Sequence, residues 1–114
     1  LHGEVRLRVR KIIRQVCSEL GVKIIHGALS RDHVRMFVEI PPHIAVSDFV
    51  RRAKGRSSRK IQQEFEHIRK RYGGQRFWQR GYFSTTSGNI TDEVILNYLD
   101  KHTKPNKAGF SPKP

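Results

Sequence analysis

The sequence is short of several things, and each shortage excludes something. Its 114 residues include a single cysteine, Cys17. One thiol can form neither an internal disulfide nor a cysteine-based zinc site, and it suits a reducing cytoplasm. No apolar run approaches the length of a membrane span, and no signal peptide is expected, because the first residues already carry a helical stripe. Acidic residues are scarce: 10 Asp and Glu stand against 23 Lys and Arg, a formal net charge of +13. Such an excess repels itself, so a polyanionic partner accounts for it, nucleic acid first and an acidic membrane surface second. The length allows one domain with a modest core. No internal repeat is visible.

What is present follows a clear order. Val5, Val9, Ile12, Ile13, Val16 and Leu20 recur at steps of three and four and predict a helix, capped by Gly21. Arg6, Arg8, Arg10, Lys11 and Arg14 fill the rest of its surface. Residues 22–29 are rich in β-branched side chains and predict a strand; Ser30, Arg31 and Asp32 predict a turn. In residues 33–40, Val34, Met36, Val38 and Ile40 face one way and His33, Arg35, Phe37 and Glu39 the other. Two strands so closely joined should pair antiparallel. After Pro41 and Pro42, a basic helical stretch runs from Ser47 to Arg71, with Gly55, Ser57 and Ser58 predicting a kink or break. Gly73 and Gly74 close it. Residues 81–86 predict a third strand, and Thr91, Asp92 and Glu93 predict the capped start of a final helix reaching His102. The tail from Lys104 carries three prolines and predicts disorder. The expected fold is therefore α+β, a ferredoxin-like split βαβ sandwich with an antiparallel sheet that lacks its opening strand. Because the chain begins at Leu1 inside a helical pattern, we expect an N-terminally incomplete domain over 1–103 and a disordered tail over 104–114.

Some of these residues could carry chemistry. On the expected last helix Val94, Tyr98 and His102 are four apart and share a face. A phenol there could attack phosphorus while an imidazole helps to hold a divalent ion. With a phenol pKa of roughly 10, attack near neutral pH needs a metal or a base. The same spacing equally describes a packed tyrosine beside an exposed histidine. His33 opens the alternating strand with Arg35 two residues on; a lone strand-end histidine is either a ligand or a hydrogen-bonded structural residue. Arg35 offers no lone pair, although its guanidinium could grip a phosphate. Arg51, Arg52, Lys54, Arg56, Ser57, Arg59 and Lys60 form a run suited to neutralising phosphates, or else a solvated helix face. Residues 76–83 mix cations with aromatics, a composition suited to stacking on unpaired bases. Phe83 and Trp78 are expected to fill core.

Four stretches together resemble the TnpA transposases of the insertion sequence 200/605 group, single-tyrosine enzymes of the HUH class. They are Asp32–Pro42, Ala53–Arg59, Gly81–Thr86 and Asn97–His102, in the family's order. The resemblance implies metal-dependent DNA transposition: the tyrosine matching Tyr98 cleaves single-stranded DNA, leaving a 5′-phosphotyrosine link and a free 3′-hydroxyl, and the reverse reaction rejoins strands. It implies Mg²⁺ or Mn²⁺ held by His33 and by His102, one turn beyond the tyrosine. It further implies hairpin DNA ends as partners, a homodimer that shares active sites between subunits, and a cytoplasmic place near the nucleoid. Arg35 stands where the second histidine of the HUH motif belongs, so metal binding should weaken. That substitution and the missing strand point to a truncated or decayed copy, or to a trimmed chain. The alternative is a single-stranded DNA-binding remnant without catalysis. An RNA-binding sandwich ranks third, since residues 33–40 lack paired aromatics.

Overall fold

The computed structural model describes residues 3–72, 77–86 and 91–99. The first apolar stripe forms α1 (Gly3–Leu20), burying Val5, Val9, Ile12, Ile13, Val16 and Cys17. It stops at Gly21, whose φ is 75°. The Val22 N–H donates to the Cys17 carbonyl at 2.8 Å and the Gly21 N–H to the Ser18 carbonyl at 3.4 Å. These are the two crossed bonds of a Schellman end, which needs a residue in the left-handed region.

An antiparallel hairpin follows, β1 (Lys23–Leu29) and β2 (His33–Glu39). The register shifts between Ile24 and His26, which leaves Ile25 at a bulge. Next comes α2 (Val46–Glu64), which Gly55, Ser57 and Ser58 do not break. The Ser57 hydroxyl donates to the Ala53 carbonyl at 2.6 Å, so it bonds back within the helix rather than competing with it. The break falls instead at Phe65, in extended backbone, before α3 (Glu66–Tyr72). Gly73 and Gly74 lie outside the described residues.

Two strands complete the fold: β3 (Phe83–Thr86) and β4 (Thr91–Asn97). The sheet order is β1-β2-β4-β3, antiparallel throughout. This is the expected α+β sandwich with one correction. Residues 91–97 are a strand, not the start of a helix. A spacing of four, as between Val94 and Tyr98, returns to the same face at both the helical and the strand period, so it could not decide between them. The place in the sheet decides: β4 pairs with β2 on one edge and β3 on the other. It thus fills the gap that the sequence reading had left for an opening strand.

Val34, Met36, Val38, Val94 and Leu96 point from the sheet toward the helices and are buried. Trp78 joins them, as expected. Phe83 does not; it lies on the opposite, open face at 58% exposure. The register explains this, because Phe83 is opposite Ile95 and Ile95 opposite Arg35, all on the side the helices leave bare. Two forked ion pairs tie α1 to α2, Arg8 to Glu64 (2.7 and 2.9 Å) and Arg56 to Glu19 (2.9 and 3.2 Å), so the helices run antiparallel. No helix among the described residues is long and apolar enough to cross a membrane.

Two glycines should respond oppositely to alanine. Gly21→Ala places a Cβ in the left-handed region and should cost about 1–2 kcal/mol. Gly55 lies inside α2 with nothing within 4 Å of an added Cβ. Gly55→Ala should therefore gain about 0.5–1 kcal/mol. Urea unfolding of both variants checks the signs.

Candidate nucleic-acid interface and the surroundings of Tyr98

Tyr98 follows β4 directly. Its amide donates to the Asp32 carbonyl at 2.9 Å, and it makes a β-bridge with Trp78. Alternation along β4 turns Val94, Leu96 and Tyr98 toward the helices, and only 2% of Tyr98 is exposed. Its ring stacks on Trp78 (centroids 4.7 Å apart, 20° between planes) and leans on Phe77 at 5.8 Å. Of the two readings the sequence left open, the packed tyrosine is the one observed, on a sheet instead of a helix.

The cover over Tyr98 is the strap of residues 77–81, and α2 holds it. The Trp78 indole N–H donates to Ser57 Oγ at 2.7 Å. Lys54 Nζ donates to the carbonyls of Gln79 at 2.8 Å and Gly81 at 2.9 Å. Lys54 is 5% exposed and Ser57 wholly buried. Both were expected on a DNA-binding surface; neither lies on it. Their polar atoms serve the strap, since a buried ammonium without such acceptors would be costly. The strap is also joined to the end of β4, through Gln79 N–H to the Asn97 carbonyl (2.7 Å) and Leu99 N–H to the Phe77 carbonyl.

His33 sits at the same end of the sheet, opposite Asn97. Its Nδ1 lies 2.8 Å from Asp32 Oδ1, a bond that holds the Asp32 carboxyl below its usual range. The ionised carboxylate only accepts, so the bond is donated by Nδ1–H. Pairing with Asn97 puts His33 on the open face, whereas Tyr98, one residue on, faces the helices. The two sites share a sheet end but not a face. Arg35, also on the open face, is ion-paired to Glu93. That partner was missed, because only the β2–β4 register brings the two together.

The residues described do not fit a divalent ion by themselves. His33 offers one nitrogen and Arg35 none, and no group of three His, Cys, Asp or Glu side chains converges among the described residues. His102 lies outside them. Cys17 adds no ligand or nucleophile, since burial pushes its thiol up to about 11.

The remaining cations of α2 do reach solvent. Arg51 and Arg59 line a hollow of about 580 Å³ between α2 and α3, beside Ser58, Gln62 and Arg69. Arg51 is paired with Asp48 at 2.9 Å and Arg69 with Glu66 at 3.7 Å. Arg56 is held by Glu19 in the α1–α2 tie. Arg52, Arg59 and Lys60 make no ion pair among the described residues, so no carboxylate neutralises them there.

Comparison with known proteins bears on these features together. Residues 1–102 match the family profile described as "Transposase IS200 like". The chain is 34% identical over 108 residues to the transposase for insertion sequence element IS200 of Salmonella typhimurium, covering 95% of this chain and 70% of that one. The IS200 transposase of Salmonella typhi gives the same figures. The ISDra2 transposase TnpA of Deinococcus radiodurans is 28% identical over 105 residues, 91% of this chain and 75% of that one.

If Ser57 serves the strap, Ser57→Ala should lower stability by about 1–3 kcal/mol, the cost of a buried donor left unsatisfied. Arg59→Ala, at the surface, should stay within about 0.5 kcal/mol of the parent. Chemical unfolding followed by the fluorescence of Trp78 measures both.

Proposed function

The chain belongs to the family of IS200-like transposases, and from that premise we propose that it cuts and rejoins single-stranded DNA at the ends of an insertion element. Tyr98 is the proposed nucleophile. Its phenol oxygen gives up its proton and attacks a phosphorus, the bond to the 3′-oxygen breaks, and that oxygen takes up a proton and leaves as a hydroxyl while the 5′ side stays on the tyrosine. Attack by a 3′-hydroxyl reverses the step and frees the phenol. Bonds are exchanged one for one, so no external energy source is needed. Hairpin-bearing ends are the proposed partner, bound by a homodimer that shares its sites. Arg52, Arg59 and Lys60 supply phosphate contacts.

The observation that carries the reading is the tie between Tyr98 and Asp32. The amide of the nucleophile is bonded to the residue before His33, so both reactive groups belong to one sheet end. Mg²⁺ or Mn²⁺ enters only through His33 together with His102, and when bound would offset negative charge on the phosphate. The phenol has to leave the Trp78 stack and come round to the His33 face, since a ring 2% exposed meets no DNA. Until it turns, no cleavage occurs.

A second reading has its own support. Arg35, paired to Glu93, stands on the open face two residues from His33, and Tyr98 is packed. Both suit a protein that keeps the basic surface and binds single strands without cutting them.

A labelled hairpin-bearing single strand incubated with the protein and Mn²⁺ separates the two. A covalent adduct on a denaturing gel is expected from the parent and none from Tyr98→Phe, which keeps the ring stack and the fold. An adduct surviving in Tyr98→Phe would sink the assignment of the nucleophile. Retained DNA binding with no adduct from the parent favours the second reading.

A further inference from the structure

The cations of α1 divide into two sets. Arg8 is tied to Glu64, whereas Arg6, Arg10, Lys11 and Arg14 make no ion pair among the described residues, and of these the three arginines line one groove. Their spacing of four sets them along one flank of the helix, each about 6 Å further along the axis at 1.5 Å per residue. That flank is one wall of a groove of about 720 Å³; the other is β1, and no carboxylate among the described residues lines it. Ile24, Gly27 and Met36 furnish an apolar base. Leu7 and Ile25, 59% and 50% exposed, also line it. Apolar surface left open beside three uncompensated guanidinium groups fits a ligand with both qualities.

We propose that this groove binds an unpaired stretch of nucleic acid, its phosphates along Arg6, Arg10 and Arg14 and at least one base over Gly27. The proposal rests on the reading that the protein handles single-stranded DNA, and adds a site separate from α2 and from His33. The chemistry narrows the class. Duplex DNA presents its phosphates but hides its bases, so it would leave the apolar base of the groove unused. A fatty acid would fill the apolar part but has one charge for three arginines. An unpaired strand satisfies both walls.

Gly27 gives a handle on the floor alone. A Cβ added there meets only the Arg35 carbonyl oxygen, at 3.9 Å, so a larger side chain can be built into the groove without displacing the sheet. Fluorescence anisotropy of the full chain should then be measured on a short labelled single strand and on the same strand annealed to its complement. Gly27→Leu should weaken the single strand about tenfold, the scale of one lost base contact, and leave the duplex unchanged. The triple variant Arg6→Gln, Arg10→Gln, Arg14→Gln should flatten the salt dependence on the single strand by about 2, at roughly 0.7 per phosphate contact. A folded Gly27→Leu that binds the single strand as the parent does would overturn the proposal. So would a triple variant with an unchanged salt slope, and that result decides the matter alone should Gly27→Leu not fold. The two readings fail separately. Binding that follows Gly27 and the arginines, with no Tyr98 adduct, removes only the catalysis; an adduct from a protein whose binding ignores them removes only the groove.

Discussion

Strand β4 is hydrogen-bonded along both edges, and the arrangement of the sheet depends on that double pairing. With β2 on one side and β3 on the other, β4 cannot slip by one residue without turning every side chain to the opposite face. The register therefore fixes which groups meet. Glu93 comes beside Arg35, Ile95 beside Phe83, and the residue after Asn97 turns inward toward Trp78. The burial of Tyr98 is a consequence of parity, reinforced by aromatic stacking and not created by it.

The strap over Tyr98 makes that burial expensive to undo. An aromatic side chain of this kind buries roughly 150–250 Å². At about 25 cal/mol per Å², exposing it would cost on the order of 4–6 kcal/mol before any loss from stacking or from the strap's hydrogen bonds. A state so costly is sparsely populated in the free protein, and a ligand can favour it only by binding it better than the packed state. For the proposed strand transfer, DNA contacts or a second subunit must supply that difference. For a protein that merely binds, the packed state is the working one.

Charge is sorted across the molecule in the same way. Six described cations, Arg8, Arg35, Arg51, Arg56, Arg69 and Lys70, are held by carboxylates, and Lys54 is held by strap carbonyls. Exposed pairs of this type add little stability. Their effect is to remove those cations from competition for phosphate. Among the cations without an ion pair, Arg52, Arg59 and Lys60 lie on α2, and Arg6, Arg10 and Arg14 on the flank of α1 that faces β1. A count of basic residues overstates the free positive charge on α2 and overlooks that on α1, where arginines looked like filling between apolar positions.

Much was legible in the residues themselves. The stripe of α1, its stop at Gly21 and the alternating β2 are written in local periods and in the left-handed backbone that glycine accepts. The four motif stretches and the excess of positive charge pointed to a DNA transposase before any fold was known. Other features waited for the tertiary structure. Whether 91–97 is helix or strand could not be read, because a repeat of four suits both. A place between two strand edges settled it. Nor could a buried Lys54 be told from an exposed Arg59 in one basic run, since solvation depends on what packs across from each. Local sequence specifies which faces are apolar; only the assembled sheet determines which backbone edges need a partner, and so which way Tyr98 turns.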